Sequence, residues 1–265
     1  MLNVKPGDRV HFEVNEVTTW QMNEKSKVED LMKIDLAKLY PLAGPIYVEG
    51  AEPGDALVVN IESVKPASWG WTGIMPGMGL LEEFDAPALY VWNLRGSGRK
   101  YSSFVKRISV PLNPFCGVLG VAPPEDGFFE VMPPGKHGGN MDIRHLTSGS
   151  TLMLPVWNEG GLFSICDVHA AQGDGEVCVS AIECAGDVTL SFDLKKNVNL
   201  ETPRYLSRPL FGPRDGYFAT TGISPDLMEA SKQALRNMIA FLAENLGISR
   251  ARLHAVLCSR RAPHT

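Results

Sequence analysis

Residues 184–194 read CAGDVTLSFDL, and this stretch decides the fold class. Val188, Leu190, Phe192 and Leu194 alternate with polar residues. A period of two puts all four on one face of an extended strand. Gly186-Asp187 ahead of them reads as a turn, because glycine tolerates unusual dihedrals and aspartate bonds nearby backbone. Two earlier stretches have the same form: VKPGDRVHFEV at 4–14 and AEPGDALVVNI at 51–61. Three turn-then-strand units predict a predominantly β body. Gly 26 and Pro 19 agree, since such counts favour many turns and hence many strands.

Elsewhere in the chain, YVWNL (90–94), ISVPL (108–112) and GVLGVAP (117–123) read as further strands. So do STLMLPVW (150–157), LFSIC (162–166) and EVCVSAIE (176–183). PASWGWTGIMPGMGLL at 66–81 lacks a period and reads as a long excursion. Either it is a shaped functional loop, or Trp69 and Trp71 simply plug the edge of the core. One long helix is expected between about Ser224 and Leu246. Ser224 suits its cap, Pro225 its first turn and Asp226 the positive end of its dipole. Leu227, Met228, Leu235, Met238, Ile239, Leu242 and Leu246 recur at helical spacing, and Gly247 stops it. That stripe reads as core or subunit packing.

Composition excludes several function classes. The 265 residues carry 25 Lys and Arg against 30 Asp and Glu, a net charge of −5. No basic stripe is present to neutralise phosphates, so a nucleic-acid partner is not expected. No run reaches the roughly 20 apolar residues of a membrane helix. The first residues, MLNVKPGDRV, lack a signal-peptide core. Five cysteines without regular spacing suggest reduced thiols and a cytoplasmic setting.

The chemistry concentrates at 167–176, DVHAAQGDGE. Asp167 and His169 are two residues apart, as are Asp174 and Glu176 and, earlier, Asn140 and Asp142. In extended chain each pair points to one side. Converging, they would offer oxygen ligands and one imidazole to a divalent cation. Imidazole favours zinc or a similar metal; carboxylates and amides suit calcium, magnesium or manganese. The bland alternative is that the Asp of GDG is only a turn residue.

NMDIRHLTSGSTLMLPV (140–156) followed by GLFSICDVHAAQGDGEVC (161–178) resembles the acetamidase/formamidase family. GPIYVEGAEPGD, WGWTGIMPGMGLL, GVLGVAP, GGNMD and TTGISPDLMEA resemble it too, in the family's order. The resemblance implies a β-sandwich or barrel-like body, here 1–200, with a smaller α/β portion, here 201–265, packed on it and carrying the helix. It implies metal-dependent hydrolysis of short aliphatic amides, such as formamide and acetamide, to ammonia and the acid. It also implies a small amide as substrate and a homodimer or larger homo-oligomer. Carried over, Asp142, Asp167 and His169 become metal ligands. Glu176 becomes the base, with Asp174 and Asn140 beside it as catalytic residues. Gln172 becomes a substrate contact, and the metal is zinc, with calcium as the alternative. His137, by its place just before Gly138-Gly139-Asn140 rather than by the resemblance, is expected to contact substrate, a solvated turn being the alternative. Cys166 and His145 are read as packing and hydrogen-bonded structure respectively, and His11 is not expected as a ligand. Trp69–Leu81 is expected to cover the mouth of the site. Against the family pattern the chain looks shortened at both ends, and Tyr40 stands where histidine is usual. The alternative reading is therefore a catalytically impaired, truncated member that binds metal and small molecules.

Overall fold

The computed structural model describes residues 1–96, 98–208 and 216–259, with side chains described to residue 254. Strands dominate, and they form two large sheets and a small ribbon. The three Gly-Asp units lie side by side in one six-stranded sheet. Its order is Phe218–Thr220, Arg204–Leu206, Thr151–Pro155, Ala56–Pro66, Gly186–Lys195 and Arg9–Val14. The turn chemistry holds for two of them. Asp8 accepts the Lys5 amide at 2.7 Å and Asp55 accepts the Glu52 amide at 2.9 Å. In the third, Gly186-Asp187 already belongs to the strand. Gly186 is needed there because a Cβ would lie 2.7 Å from the Lys65 carbonyl on the neighbouring strand.

The second sheet has eight strands. Its path runs Leu2–Val4, Ala43–Val48, Phe163–His169, Glu183–Cys184, Trp69–Ile74 and Ala88–Asn93. Phe115–Gly120 also pairs with Phe163–His169, and Gly138–Asn140 pairs with Phe115–Gly120. The two sheets meet face to face. Phe163 of one packs edge-on against Phe12 and Phe192 of the other, with centroids 6.5 and 5.2 Å apart. Val188, Leu190 and Phe192, singled out by their alternation, are fully buried between the sheets. The expected mainly-β sandwich is thus the observed one.

Two strand readings are corrected. Trp69–Ile74 is a strand, not an excursion, paired to Ala88–Asn93 on one side and to Glu183 on the other. Its glycines mark close approach rather than turns. A Cβ on Gly70 would lie 2.6 Å from the Glu183 carbonyl, and one on Gly73 would lie 2.9 Å from Leu31. Conversely, EVCVSAIE forms turns except at its end, and only Glu183–Cys184 is strand. Glu176 and Val179 take left-handed backbone, with φ of 43° and 70°, which breaks an extended run.

The long helix spans Leu227–Leu246. Asp226, rather than Ser224, is its N-cap and accepts the Glu229 amide at 2.7 Å, while Gly247 closes it at φ 64°. Phe241 stacks on Phe218 at 3.9 Å, so the helix lies against the end of the six-stranded sheet. That sheet runs across residue 200, because Arg204–Leu206 pairs with Thr151–Met153. Among the described residues no helix is long and apolar enough to cross a membrane.

Candidate active site

The site forms where the strand Phe163–His169 ends. Asp167 and His169 both turn inward there, with His169 Nε2 3.2 Å from Asp167 Oδ1. The neighbouring strand pairs His169 with Glu183 directly, which brings Glu183 Oε2 to 3.1 Å from the same nitrogen. Asp142 arrives from the turn after Gly138–Asn140. Its backbone amide, like that of Met141, donates to the Gly117 carbonyl, at 3.2 and 3.1 Å. Glu176 completes the cluster from the turn that follows GDG. Ligand atoms of Asp142, Asp167 and His169 lie within 4.8 Å of one another, as do those of His169, Glu176 and Glu183.

Gly117 makes room for this convergence. A Cβ there would sit 2.4 Å from Asp142 Oδ1, 2.9 Å from Asp167 Oδ2 and 3.0 Å from His169 Cε1. Backbone strain gathers at the same place. Asp142, Asp167 and Glu176 have φ of 47°, 64° and 43°, and Tyr40 beside them has 59°. Non-glycine residues in this region cost of order 1–3 kcal/mol each and persist where their surroundings dictate them.

Four carboxyl groups and one imidazole are gathered here with no Lys or Arg among them, an arrangement that is expensive without a cation. Burial, reinforced by neighbouring carboxylates, pushes Asp142 up to about 6, Glu183 to about 8 and Glu176 to about 9. Burial pulls His169 the other way. The carboxylates of Glu183 and Asp167 outweigh it and hold the ring well above its ordinary value. Asp142 Oδ1, Asp167 Oδ1, His169 Nε2 and Glu183 Oε2 are all buried without an aligned hydrogen bond. Buried polar atoms are normally satisfied. Orphaned acceptors crowded around one point fit a divalent cation, so this is a possible metal-binding site.

Gln172 fixes the orientation of the imidazole. Its Nε2 donates to the Asp142 carbonyl at 2.9 Å, so its Oε1 faces His169 Nδ1, also at 2.9 Å. Oε1 can only accept, and Nδ1 must therefore carry a proton. In the neutral ring that leaves the Nε2 lone pair facing the carboxylates, the tautomer a metal ligand needs.

The cluster lies at the polar end of a cavity of about 100 Å³. Its other walls are Trp71, Ile34, Leu39, Met75 and Met78, and Tyr40 and Asn140 line it as well. Trp71 is held by its indole N–H, which donates to the buried Glu16 at 2.8 Å. Met75 and Met78 come from the second half of the tryptophan-rich stretch. That part does wall the cavity, although the first half is strand.

The structure brings Asn140, Asp142, Asp167 and Glu176 to the wall of this cavity, and His169 into the cluster with Asp142 and Asp167. It does not bring Asp174, whose side chain is 83% exposed and faces Arg144 at 3.6 Å. Gly175 (φ 83°) and Glu176 reverse the chain, so the two acids point apart. Nor does it bring His137, which lines a separate groove with Val118, Gly120 and Phe129. Gly138 and Gly139, with φ of 89° and 82°, turn the chain between His137 and Asn140. Gln172 is near, but its amide is engaged with His169 and Asp142 rather than open to a substrate. His11 lies on the far sheet near Asp187. Cys166 is buried packing, its thiol pushed well up by burial and by Asp167. His145 Nδ1 has no hydrogen-bond partner; its ring packs on Tyr217 instead, with centroids 5.6 Å apart. Sequence reasoning missed Glu183 and Gly117. An acid closing an apolar run was the only available sign of the first. The second has none in the sequence.

A sequence profile described as the Acetamidase/Formamidase family matches residues 1–131 and 125–262. The chain belongs to this family. It is 30% identical over 271 residues to the acetamidase of Mycolicibacterium smegmatis, covering 79% of this chain and 66% of that protein. It thus spans just under two thirds of that relative. It is 30% identical over 289 residues to the formamidase of Methylophilus methylotrophus, covering 87% of this chain and 70% of that protein. The crystal structure of an acetamidase from Bacillus halodurans superposes with a TM-score of 0.85 at 33% identity, covering 95% of this chain and 81% of that one.

Proposed function

We propose that this family member hydrolyses short aliphatic amides to ammonia and the carboxylic acid. The observation that carries the reading is the set of orphaned ligand atoms at one end of a small, mostly apolar cavity. A cavity of about 100 Å³ admits a molecule of a few non-hydrogen atoms, since one water needs roughly 10–15 Å³. Formamide and acetamide are of that size, and relatives bear the corresponding names.

Asp142, Asp167, His169 and Glu183 would hold the cation; zinc suits the imidazole, and calcium is the alternative. When bound, such an ion polarises a carbonyl and makes water acidic. The chain's own residues do the rest. Glu176, at the cavity wall, accepts a proton from the attacking water as its oxygen bonds to the carbonyl carbon. The carbonyl π electrons pass to oxygen. When the tetrahedral adduct collapses, the C–N bond breaks and Glu176 returns the proton to the departing nitrogen. Asn140 Oδ1, buried and without a partner, is free to accept from the substrate NH2. The apolar walls limit competing water.

We keep two further readings as proposals. Exposed Leu227, Met228, Leu235 and Leu246 on the long helix support a homo-oligomer. Free thiols at Cys116, Cys166, Cys178 and Cys184 support a reducing, cytoplasmic setting. The test of function is ammonia release from formamide and acetamide by the purified chain. Release that is saturable and is lost in Glu176→Gln supports the proposal. A chain that binds zinc yet releases no ammonia from either amide is instead the impaired, binding-only member.

A further inference from the structure

We propose that Tyr40 is a catalytic residue whose hydroxyl donates a hydrogen bond to the substrate's carbonyl oxygen. The inference rests on the amide-hydrolase reading and adds a residue to it. The donors and acceptors on the cavity wall are unevenly matched. The polar end supplies acceptors in excess: carboxylates, and Asn140 Oδ1. An amide also needs a donor at its oxygen, and more so as that oxygen becomes an oxyanion.

With the carboxylates of Asp142, Glu176 and Glu183 ionised around a cation, the other polar wall side chains have no free proton to give. Thr18 donates its hydroxyl proton to Glu16, and Ser180 donates its own to the Gly73 carbonyl, at 2.8 Å for the latter. The Trp71 indole is taken by Glu16. The Asn140 amide donates to the Met132 carbonyl at 3.2 Å and to Tyr40 Oη at 3.4 Å. Tyr40 Oη therefore accepts from Asn140, which turns its own O–H away from that contact. Among the described residues no protein acceptor takes this proton. The ring lines the cavity, and its backbone is pinned by the Tyr40 amide donating to the Val17 carbonyl at 2.9 Å.

This arrangement orients the substrate. Its NH2 faces Asn140 Oδ1 and Glu176, where the leaving nitrogen must receive a proton. Its oxygen faces Tyr40. The hydroxyl forms no covalent bond and keeps its proton; it only strengthens a hydrogen bond as charge develops.

The test is Tyr40→Phe, which keeps the ring and removes one oxygen. Ammonia release from acetamide is measured for both proteins, with kcat and KM separated, beside bound zinc and the melting midpoint. The expected result is a fall in kcat/KM of about 10²–10³-fold, the range for losing one oxyanion donor, carried mainly by kcat at unchanged zinc content. A variant within twofold of the parent in kcat overturns the assignment. So does a loss of turnover matched by an equal loss of zinc, which would place Tyr40 behind the metal rather than against the substrate. A parent that releases no ammonia overturns the amidase reading itself, and Tyr40's role with it. That pattern differs from an active parent with an equally active variant.

Discussion

Gly117→Ala should remove the metal site while leaving the fold in place. Gly117 is not in left-handed backbone, so alanine meets no dihedral penalty. Reduced freedom of the unfolded chain would even favour alanine by about 0.4–1 kcal/mol. The cost falls on the site. The new Cβ would start 2.4 Å from Asp142 Oδ1 and 2.9 Å from Asp167 Oδ2, where ordinary contact begins at 3.4 Å. Asp142 must therefore retreat by about 1 Å and Asp167 by about 0.5 Å, the differences between those distances. Metal–ligand bonds tolerate only about ±0.2 Å. A 1 Å displacement removes one ligand and loosens a second, so zinc affinity should fall by at least about 10²-fold, comparable with losing an outer-shell partner. Overpacking of this kind costs about 1–3 kcal/mol, which a two-sheet core can absorb. The assay is zinc content by elemental analysis after dialysis against a graded chelator, beside circular dichroism and turnover. Gly173→Ala is the control, since its Cβ would meet nothing within 4 Å. Full zinc and normal turnover in Gly117→Ala would refute the claim that these three side chains share one ion above that glycine.

Other perturbations separate the roles further. Glu176→Gln should keep its zinc and lose about 10²–10⁴-fold in kcat, read by parallel metal and ammonia assays. His169→Ala should lose both metal and turnover while its circular dichroism spectrum keeps the β signature. Asp174→Asn should stay within about twofold of the parent in turnover, because the exposed side chain lies outside the cavity. The metal-free protein should become less stable as pH rises from about 4 to about 9. Asp142, Glu183 and Glu176, raised to about 6, 8 and 9, hold protons in the folded state that the unfolded chain has already released. His169, also raised, adds in the same direction. A cation replaces those protons, so the gap in melting midpoint between zinc-loaded and stripped protein should widen from pH 5 to pH 8.

Much of the fold was legible because alternation is a local signal. Val188, Leu190 and Phe192 announced a buried strand face, and the stretch from Ser224 to Gly247 announced a helix with the right stop but an N-cap set two residues early. The same period-two logic found Asp167 with His169 and Asn140 with Asp142. It failed for Asp174 and Glu176, because it assumes extended chain and Gly175 and Glu176 turn it. Glu183 was hidden for another reason. Its place beside His169 comes from strand register, which joins residues distant in sequence. Gly117 was equally hidden, since the space it leaves is defined by side chains from three other segments. The glycines of Trp69–Ile74 misled in the opposite sense, for they permit close packing of strands and do not mark a loop.

Amide hydrolysis at this cluster should depend on a bound divalent cation. The most direct test is ammonia release from acetamide by protein stripped with a chelator and then reloaded with measured amounts of zinc. Turnover should fall to background in the stripped protein and rise in proportion to zinc bound. Full turnover in protein shown by elemental analysis to carry no metal would contradict that dependence.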